Sequence, residues 1–235
     1  MSYLQPYSIG SLIRSVIVVY FTNLPSLLAI HLIPVLPLDL LSAYAEVERW
    51  TVAWWIIFAV ESMATLLVVF PMSIAISEIC LGIEPSAVRA YRRAFAHPSG
   101  IIGAYLLATL KIWAGLILLL VPGMIFGAWY VLVGPVAVIE GLGGRKALHR
   151  SRELGRGFYL RNLAIWTVVI MLIFIVAMIV EVLLIMLVPT LEPFIISVIT
   201  TFLSPMGDIV PVLLYYDMRA RKESYGSAQL AEDLM

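Results

Sequence analysis

Six stretches of this chain are long, apolar and poor in charge, and they limit what it can fold into. A helix needs about 20 mostly apolar residues to cross the hydrocarbon core of a bilayer. The stretches that approach or meet this length are Leu24–Leu41, Val52–Ile79, Ile101–Val121, Met124–Glu140, Asn162–Leu187 and Phe194–Tyr216. Their apolar residues are continuous rather than alternating, so they predict helices rather than strands.

The composition of the 235-residue chain agrees with this interpretation. Hydrophobic residues make up 62% of it and charged residues only 13%, against about 45–50% and about 25% in soluble domains. A water-soluble fold of this size has too little interior to hide so much apolar surface. We therefore predict an all-α, polytopic transmembrane helical bundle, with a single transmembrane domain over residues 1–218 and a short polar cytoplasmic tail over residues 219–235.

Prolines interrupt several of the predicted spans, and Pro122-Gly123 predicts a tight turn between the third and the fourth. Interior prolines are compatible with transmembrane helices because neighbouring groups can satisfy the carbonyls that they free. The interior prolines are Pro25, Pro34, Pro37, Pro71, Pro135, Pro205 and Pro211. They are therefore consistent with six helical spans.

The uneven distribution of basic residues indicates an orientation. If the chain crosses six times, 13 of its 15 Lys and Arg residues fall in segments on one side of the membrane. Basic residues concentrate in cytoplasmic loops, so both termini and the two longer loops are expected in the cytoplasm. The 13 residues are Arg14, Arg89, Arg92, Arg93, Arg145, Lys146, Arg150, Arg152, Arg156, Arg161, Arg219, Arg221 and Lys222. On the opposite side, Trp50, Trp54 and Trp55 predict an aromatic belt.

A short helix-like segment precedes each predicted pair of spans. The three segments are Ser8–Phe21, Ser86–Phe95 and Arg145–Leu154. The second and third carry basic residues on one helical face and apolar residues on another, as helices in the plane of the interface do. The first is much more apolar, which fits either burial or the start of the first span. The pattern predicts three repeats of an amphipathic cytoplasmic elbow helix followed by a helical hairpin.

The basic residues of the elbow helices are candidates for binding anionic lipid headgroups. Each basic residue near such a surface contributes about 1 kcal/mol. The same charges also fix topology, and the sequence does not separate the two roles. The headgroup candidates are Arg89, Arg92, Arg93, Arg145, Arg152 and Arg156. Membrane lipids, chiefly anionic ones, are therefore the expected partners, and a protein partner or a homo-oligomer is also compatible with the sequence.

Among the ionisable residues inside predicted spans, Glu61, Lys111, Glu181 and Asp208 are candidates for a role there. A charge there costs about 2.5–3.5 kcal/mol on insertion scales, so its presence needs a reason. One reason is a polar path for ions or protons, and Lys111 and Asp208 are the deepest candidates for it. The other is structural pairing, such as Lys111 with Glu61 or Glu181, or an end close enough to the interface to snorkel. The outer position of Glu61 and Glu181 favours this second reason.

The sequence indicates no catalytic, cofactor-binding or metal site. Cys80 is the single cysteine, and His31, His97 and His149 are scattered, so a thiolate metal centre is not expected. The zero formal net charge provides no field that would attract nucleic acid. An enzyme acting on lipid phosphates would need a carboxylate or a histidine beside the elbow arginines. The candidates for that role are Glu140, His149, Glu153 and Asp217.

Four motifs resemble those of a known family of bacterial membrane proteins. They are VPGMI at 121–125, GPVAVIEG at 134–141, ALHRSRELGRG at 147–157 and LLYYDMRARKE at 213–223. In them the chain is similar to the YciC-like family, which includes the membrane domain that accompanies some glycerophosphodiester phosphodiesterases. The resemblance implies six spans in the bacterial inner membrane, amphipathic cytoplasmic elbows and a link to envelope or lipid homeostasis. The phosphodiesterase activity of fused members belongs to a separate soluble domain, so it is not implied here.

Three functions are compatible with these features. We favour a non-enzymatic accessory or scaffold protein in envelope or lipid homeostasis, because the chain offers no evident nucleophile, general base or metal cluster. The second is a transporter or channel-like protein with Lys111 and Asp208 in a polar path, which would be supported if both faced a common cavity. The third is a membrane-embedded enzyme acting on lipid phosphates.

Overall fold

Every regular element in the computed structural model, which describes residues 7–48, 51–96 and 98–223, is an α-helix. In chain order the described helices are α1 (Ile9–Thr22), α2 (Leu24–Val47), α3 (Thr51–Cys80), α4 (Ala87–Ala94), α5 (Pro98–Leu118), α6 (Leu120–Tyr130), α7 (Val133–Ile139), α8 (Gly144–Gly155), α9 (Tyr159–Leu187) and α10 (Glu192–Glu223). Four segments are long and apolar enough to cross a membrane, namely Leu24–Val47, Val121–Ile139, Tyr159–Leu187 and Glu192–Glu223. The described chain therefore has the all-helical build of a membrane protein.

These four segments coincide with the first, fourth, fifth and sixth predicted spans. The fourth consists of most of α6 together with α7, joined through a short turn. The second and third predicted spans correspond to α3 and α5, in which the shorter stretches Leu67–Cys80 and Gly100–Gly115 are apolar helices among the described residues. Six spans therefore stay a prediction, as does the threefold repeat of elbow and hairpin.

The two last helices differ in how much of their surface they bury. Only 6% of the most apolar window of α9 is buried inside the protein, so its side chains face outward, where a bilayer would supply hydrocarbon. In α10, by contrast, nearly every side chain from Ile209 to Met218 is buried. α10 therefore lies at the centre of the bundle, and α9 lies at its lipid-facing side.

α10 runs antiparallel to α9. Arg161 at the start of α9 pairs with Asp217 near the end of α10. Further along, Ile170 packs against Gly207, where an added Cβ would lie 3.0 Å from the Ile170 Cδ1 atom. The missing side chain at this position therefore lets the two helices approach closely.

On its other side, α10 runs antiparallel to α2. His31 lies beside Asp208, and Asp39 lies beside Thr201. Residues seven or eight apart return to the same side of a helix after about two turns. The two polar contacts therefore lie on one line along an interface between otherwise apolar helices.

Proline interrupts the hydrogen-bond ladder of α2, and a tyrosine of α4 compensates for it. Pro34 has no N–H to donate to the carbonyl of Ile30, four residues earlier. That carbonyl accepts a hydrogen bond of 2.8 Å from the Tyr91 hydroxyl. Because carbonyls inside a membrane need such a donor, the proline that distorts α2 also creates the attachment point for α4.

The first predicted elbow, α1, packs along α10. The backbone N–H of Tyr7, just before α1, donates to Asp217, whereas Tyr20 near the other end donates to the carbonyl of Phe202. Phe202 precedes Asp217 by 15 residues, which is about 22 Å of helix. The buried side chains of α1 are Leu12, Ser15, Val16, Val19 and Tyr20. α1 therefore buries one face against the bundle, whereas Ile9, Ile17 and Phe21 on its other side are exposed.

The turn between α5 and α6 lies elsewhere than expected. The prediction of a turn at Pro122-Gly123 is wrong, because the backbone is extended at Leu119 and α6 already begins at Leu120. Pro122 fits the first turn of a helix, where backbone N–H groups have no helical partner. The close packing of α5 on α6 here depends on Gly115, since a Cβ on Gly115 would lie 2.9 Å from the Gly123 nitrogen.

Two predictions fall partly outside the described residues. Trp50 and the side chain of Trp54 lie outside them, whereas Trp55 is exposed on α3. Of the predicted tail at residues 219–235, the part up to Glu223 continues α10, and the rest lies outside. The aromatic belt and the tail boundary therefore stay predictions.

The Tyr91 hydroxyl offers a test of how α4 is attached. Tyr91→Phe leaves the Ile30 carbonyl without this donor, so we expect the free energy of unfolding to fall by about 0.6–1.7 kcal/mol, as for hydrogen bonds between membrane helices. Titrating the protein in mixed micelles with SDS measures the free energy of unfolding of the variant and of wild type. Tyr105→Phe is the matched control, because no hydrogen bond of the Tyr105 hydroxyl is found among the described residues. Equal losses in both variants would contradict the role of Tyr91.

Candidate functional site

Three carboxylates lie at the end of the bundle where α3, α7 and α10 finish, and each is held by arginine. The side chains of Glu78 and Asp217 are 1% and 0% exposed, and that of Glu140 is 15% exposed. A charge so far from water is tolerated only beside an opposite charge and hydrogen-bond donors. We refer to these three carboxylates and their arginines as the arginine–carboxylate end.

Glu78, near the end of α3, binds two arginines of α4. Arg89 donates from Nε and Nη2 to the two carboxylate oxygens at 2.5 and 3.1 Å, and Arg93 Nη1 lies 3.6 Å from Oε1. Arg89 also donates to the Glu84 carbonyl at 2.6 Å. The hydrogen bonds and the charge of Glu78 raise the pKa of the Arg89 guanidinium. Two of the three predicted headgroup arginines of α4 thus neutralise a buried carboxylate.

Asp217, near the end of α10, joins three parts of the chain. Arg161 Nη1 from α9 lies 2.7 Å from Oδ2, and Arg221 Nε, one turn further along α10, lies 3.0 Å from Oδ1. The Tyr7 N–H donates to Oδ1 at 2.6 Å, and the Tyr7 carbonyl accepts hydrogen bonds from both arginines. The segment before α1 is thereby fixed against the start of α9 and the end of α10.

Arg150 of α8 bridges two glutamates. Its Nε lies 2.8 Å from Glu140 Oε2, and its Nη2 lies 2.6 Å from Glu223 Oε1. The Tyr215 hydroxyl donates to Glu140 at 3.1 Å, and Arg219 donates to Glu223 at 2.9 Å. Partial burial disfavours the charge of Arg150, but the hydrogen bonds to both glutamates outweigh it and raise the pKa of its guanidinium. α8 is thereby fixed to α7 and α10.

Other basic residues of α4 and α8 point away from these carboxylates. We refer to them as the exposed cations, and they are Arg92, Arg145, Lys146 and Arg156. Each is exposed, and no side-chain ion pair or hydrogen bond is found for it among the described residues. The opposite face of α8 buries Ala147, Leu148, Ser151 and Leu154. α8 therefore has exposed basic residues on one face and buried residues on the other, as its sequence predicts.

Arg152 is exposed but has a partner. Its guanidinium carbon lies 4.0 Å from the centre of the Trp129 ring, a favourable cation–π distance. The neighbouring Ser151 donates to the Trp129 carbonyl at 2.8 Å, and the Tyr159 hydroxyl donates to the Arg152 carbonyl at 2.6 Å. Of the six predicted headgroup residues, three therefore have internal partners, and Arg92, Arg145 and Arg156 are available.

The ionisable residues predicted inside spans are not gathered in one place. Lys111 Nζ lies 3.5 Å from the Tyr130 hydroxyl and 5.5 Å from the centre of its ring. No ion pair between Lys111 and Glu61 or Glu181 is found in the described part of the chain. Glu181 is exposed on α9, and Glu61 accepts a hydrogen bond from Ser42. The structural pairs expected for Lys111 are therefore not seen.

Asp208 belongs to a line of polar side chains between α2 and α10. We call this line the polar strip, and its members are His31, Asp39, Thr201 and Asp208. His31 Nδ1 lies 3.4 Å from Asp208 Oδ2, and the Thr201 hydroxyl donates to the Asp39 carboxylate. Sequence reasoning missed His31 and Asp39, although their spacing of eight residues places them on one helical face.

Two of the cavities lined by described residues differ in size and lining. The larger, of about 570 Å³, lies between the start of α2 and the loop before α4. The smaller, of about 110 Å³, is lined by apolar side chains of α1, α9 and α10. Neither touches Lys111 or Asp208, so neither is the common polar cavity that a path through both would need. Within the described residues, no three His, Cys, Asp or Glu side chains are placed to hold a metal ion.

Comparison with known proteins identifies no relative. No family model, curated protein or solved structure matches the chain. The resemblance to the YciC-like family therefore stays a prediction, and arguments about function depend on the residues themselves.

Arg89 and Arg92 stand three residues apart on α4 and form a matched pair for mutation. Arg89→Ala leaves the buried Glu78 with only the more distant Arg93, so we expect a loss of about 2–3 kcal/mol in unfolding free energy. This expected loss is smaller than the loss on breaking a fully buried ion pair, because the Arg89 side chain is itself 35% exposed. Arg92→Ala should change stability by less than about 0.5 kcal/mol.

Chemical or thermal unfolding followed by tryptophan fluorescence measures both variants. Adding Glu78→Gln to Arg89→Ala should restore part of the loss, since the uncompensated charge is then removed. Equal destabilisation by the two single substitutions would contradict the assignment of Arg89 to Glu78.

Proposed function

We propose that the chain is a non-enzymatic protein of the bacterial inner membrane with an accessory or scaffold role in envelope or lipid homeostasis. It acts through contacts between its exposed cations and anionic lipid headgroups. The observation that carries the proposal is the division among the basic residues of α4 and α8. Arg89, Arg93, Arg150 and Arg152 have carboxylate or aromatic partners, whereas no such partner is found for the exposed cations among the described residues.

The inward-facing arginines determine where the outward-facing ones are held. Glu78 fixes α4 through Arg89, and Glu140 with Glu223 fixes α8 through Arg150. The exposed cations therefore project from helices whose positions are set by buried ion pairs. At about 1 kcal/mol for each basic residue near an anionic surface, four such residues contribute about 4 kcal/mol. This is enough to favour anionic over neutral lipid around the protein.

The proposal includes six spans with both termini in the cytoplasm. Tyr7 meets Asp217, so the start of the described chain and the end of α10 share one end of the bundle. The Arg150–Glu223 pair places α8 there as well, and α4 reaches the same end through Glu78. The chain leaves this end along α2 and is back at it in α4, so α3 must return it. It is at this end again in α8 after α6 and α7, so α5 must have left it, which supports α3 and α5 as the two further spans.

Lipid-phosphate chemistry is the less favoured function because two of its candidate carboxylates are occupied. Glu140 is bound by Arg150 and Tyr215, and Asp217 by two arginines. A carboxylate held in this way is a poor general base, since taking up a proton would break its ion pairs. His149 and Glu153 are exposed on α8, where neither is held in a pocket.

Two exposed positions test the proposed orientation. Val47 lies at the end of α2 with 43% exposure, and Lys146 is exposed on α8. In a variant lacking Cys80, Val47→Cys should react with an impermeant maleimide added to intact cells. Lys146→Cys should react only after the membrane is permeabilised. Because both positions are exposed in the protein, a cysteine that does not react with the maleimide is shielded by the membrane and not by burial inside the protein. The reverse labelling would contradict the orientation.

Removing the exposed arginines should weaken lipid retention without unfolding the protein. Native mass spectrometry of the purified protein with added phosphatidylglycerol or cardiolipin compares wild type with an Arg92→Ala, Arg145→Ala, Arg156→Ala variant. Three lost contacts of about 1 kcal/mol each lower affinity on the order of 100-fold. Phosphatidylethanolamine, with no net charge, should be retained equally by both proteins.

The matched control replaces the same three arginines with lysine. It preserves the charges, so it should retain most of the anionic lipid if attraction to headgroups is responsible. Unchanged retention in the alanine variant would show that these arginines only set topology, and the lipid role would then be abandoned.

A further inference from the structure

Two aspartates on α10, nine residues apart, have very different surroundings. Asp217 is surrounded by two arginines and a backbone N–H. Asp208 faces His31, with 3.4 Å between its Oδ2 and the histidine Nδ1. Both facing atoms are shut off from solvent, yet neither makes a hydrogen bond among the described residues. Since buried polar atoms are nearly always hydrogen-bonded, this arrangement needs an explanation.

The His31 imidazole is nine-tenths buried, with 8% of the residue exposed, so solvent does not satisfy its Nδ1 atom. A neutral imidazole nitrogen without hydrogen and a carboxylate oxygen are both acceptors, and they repel each other when brought together. A hydrogen on either atom makes the contact a donor–acceptor pair, and it is either the imidazole's own ring hydrogen placed on Nδ1 or an added proton. The 3.4 Å separation is slightly longer than a hydrogen bond and closes with a small side-chain rotation.

Charge balance inside a membrane also favours one bound proton. Imidazolium with carboxylate and imidazole with carboxylic acid are both neutral pairs, whereas removing the proton leaves an isolated negative charge. Such a charge is costly in hydrocarbon. Asp39 on α2 and Glu61 on α3, which interact with each other, add further negative groups near this interface and increase that cost.

We propose that His31 and Asp208 form a proton-binding site between α2 and α10. The pair holds one shared proton and takes up a second as pH falls, when imidazolium and carboxylic acid are present together. The titratable neighbours are Asp39 on α2, Glu61 on α3, Tyr91 on α4, and Tyr105 on α5 beside Asp208. No ion pair joins a lysine or an arginine to the polar strip in the described part of the chain.

Infrared difference spectroscopy of the protein in liposomes tests this site directly. The carbonyl stretch of a protonated carboxyl group is separate from the carboxylate bands, so titration of Asp208 can be followed between about pH 5 and pH 9. Wild type should gain a carboxyl band as pH falls, and Asp208→Asn should lose that band. Glu181→Gln is the matched control, because it removes a carboxylate exposed on α9 and should leave the band in place.

His31→Gln keeps the carboxyl group but removes its cationic partner. The band should persist, and the pH at which it appears should change, because the partner that shares the proton is gone. Thermal unfolding of each variant confirms that it is folded. A band that survives Asp208→Asn, or a titration that His31→Gln leaves unmoved in a folded protein, would overturn the proposal. Neither outcome depends on lipid binding by the exposed cations.

Discussion

The arrangement of the bundle depends on the ion pairs of the buried Asp217 carboxylate. Removing a charge from water costs several kcal/mol, and a partner compensates only where the geometry is good. The compensating groups come from the segment before α1, from α9 and from α10 itself. The cost is therefore offset only when all three are in place. Between membrane helices, where lipid is as apolar as leucine and burial alone gives little preference, this requirement selects one arrangement of the helices.

Sequence reasoning located the helices more reliably than their ends. The apolar run Asn162–Leu187 predicts α9 to within three residues at its start and correctly at its end, because a long stretch without proline leaves few alternatives. The run Leu24–Leu41 stops six residues before α2 does. Polar residues end an apolar window without ending a helix, since the backbone hydrogen bonds continue past the bilayer core. The prediction of a tight turn at Pro122-Gly123 is wrong because proline does not always end a helix. It is accommodated in the first turn, where Pro122 lies in α6.

The contacts of the charged residues could not be predicted in the same way. Periodicity shows which residues share a helical face, but not which faces meet. The pattern of α4 groups Arg89, Arg92 and Arg93 on one face, yet Arg89 and Arg93 reach Glu78, inside an apolar window, and Arg92 does not. Asp39 is likewise inside a predicted span, and its partner Thr201 is 162 residues away. Its spacing from His31 could have identified a polar face on α2, but the partner on α10 required the fold.

The polar strip lies along the same stretch of the two helices as their prolines. Pro34 and Pro37 lie between its two members on α2, and Pro205 lies between its two members on α10. Each proline interrupts the backbone hydrogen bonds of its helix by freeing a carbonyl four residues earlier. The Ile30 carbonyl, freed by Pro34, is satisfied by Tyr91 of α4, as a membrane interior requires. Asp217 lies beyond these interruptions and is neutralised by arginine. Asp208 lies beside one of them, and its ion-pair partner among the described residues is an imidazole, that of His31, rather than an arginine.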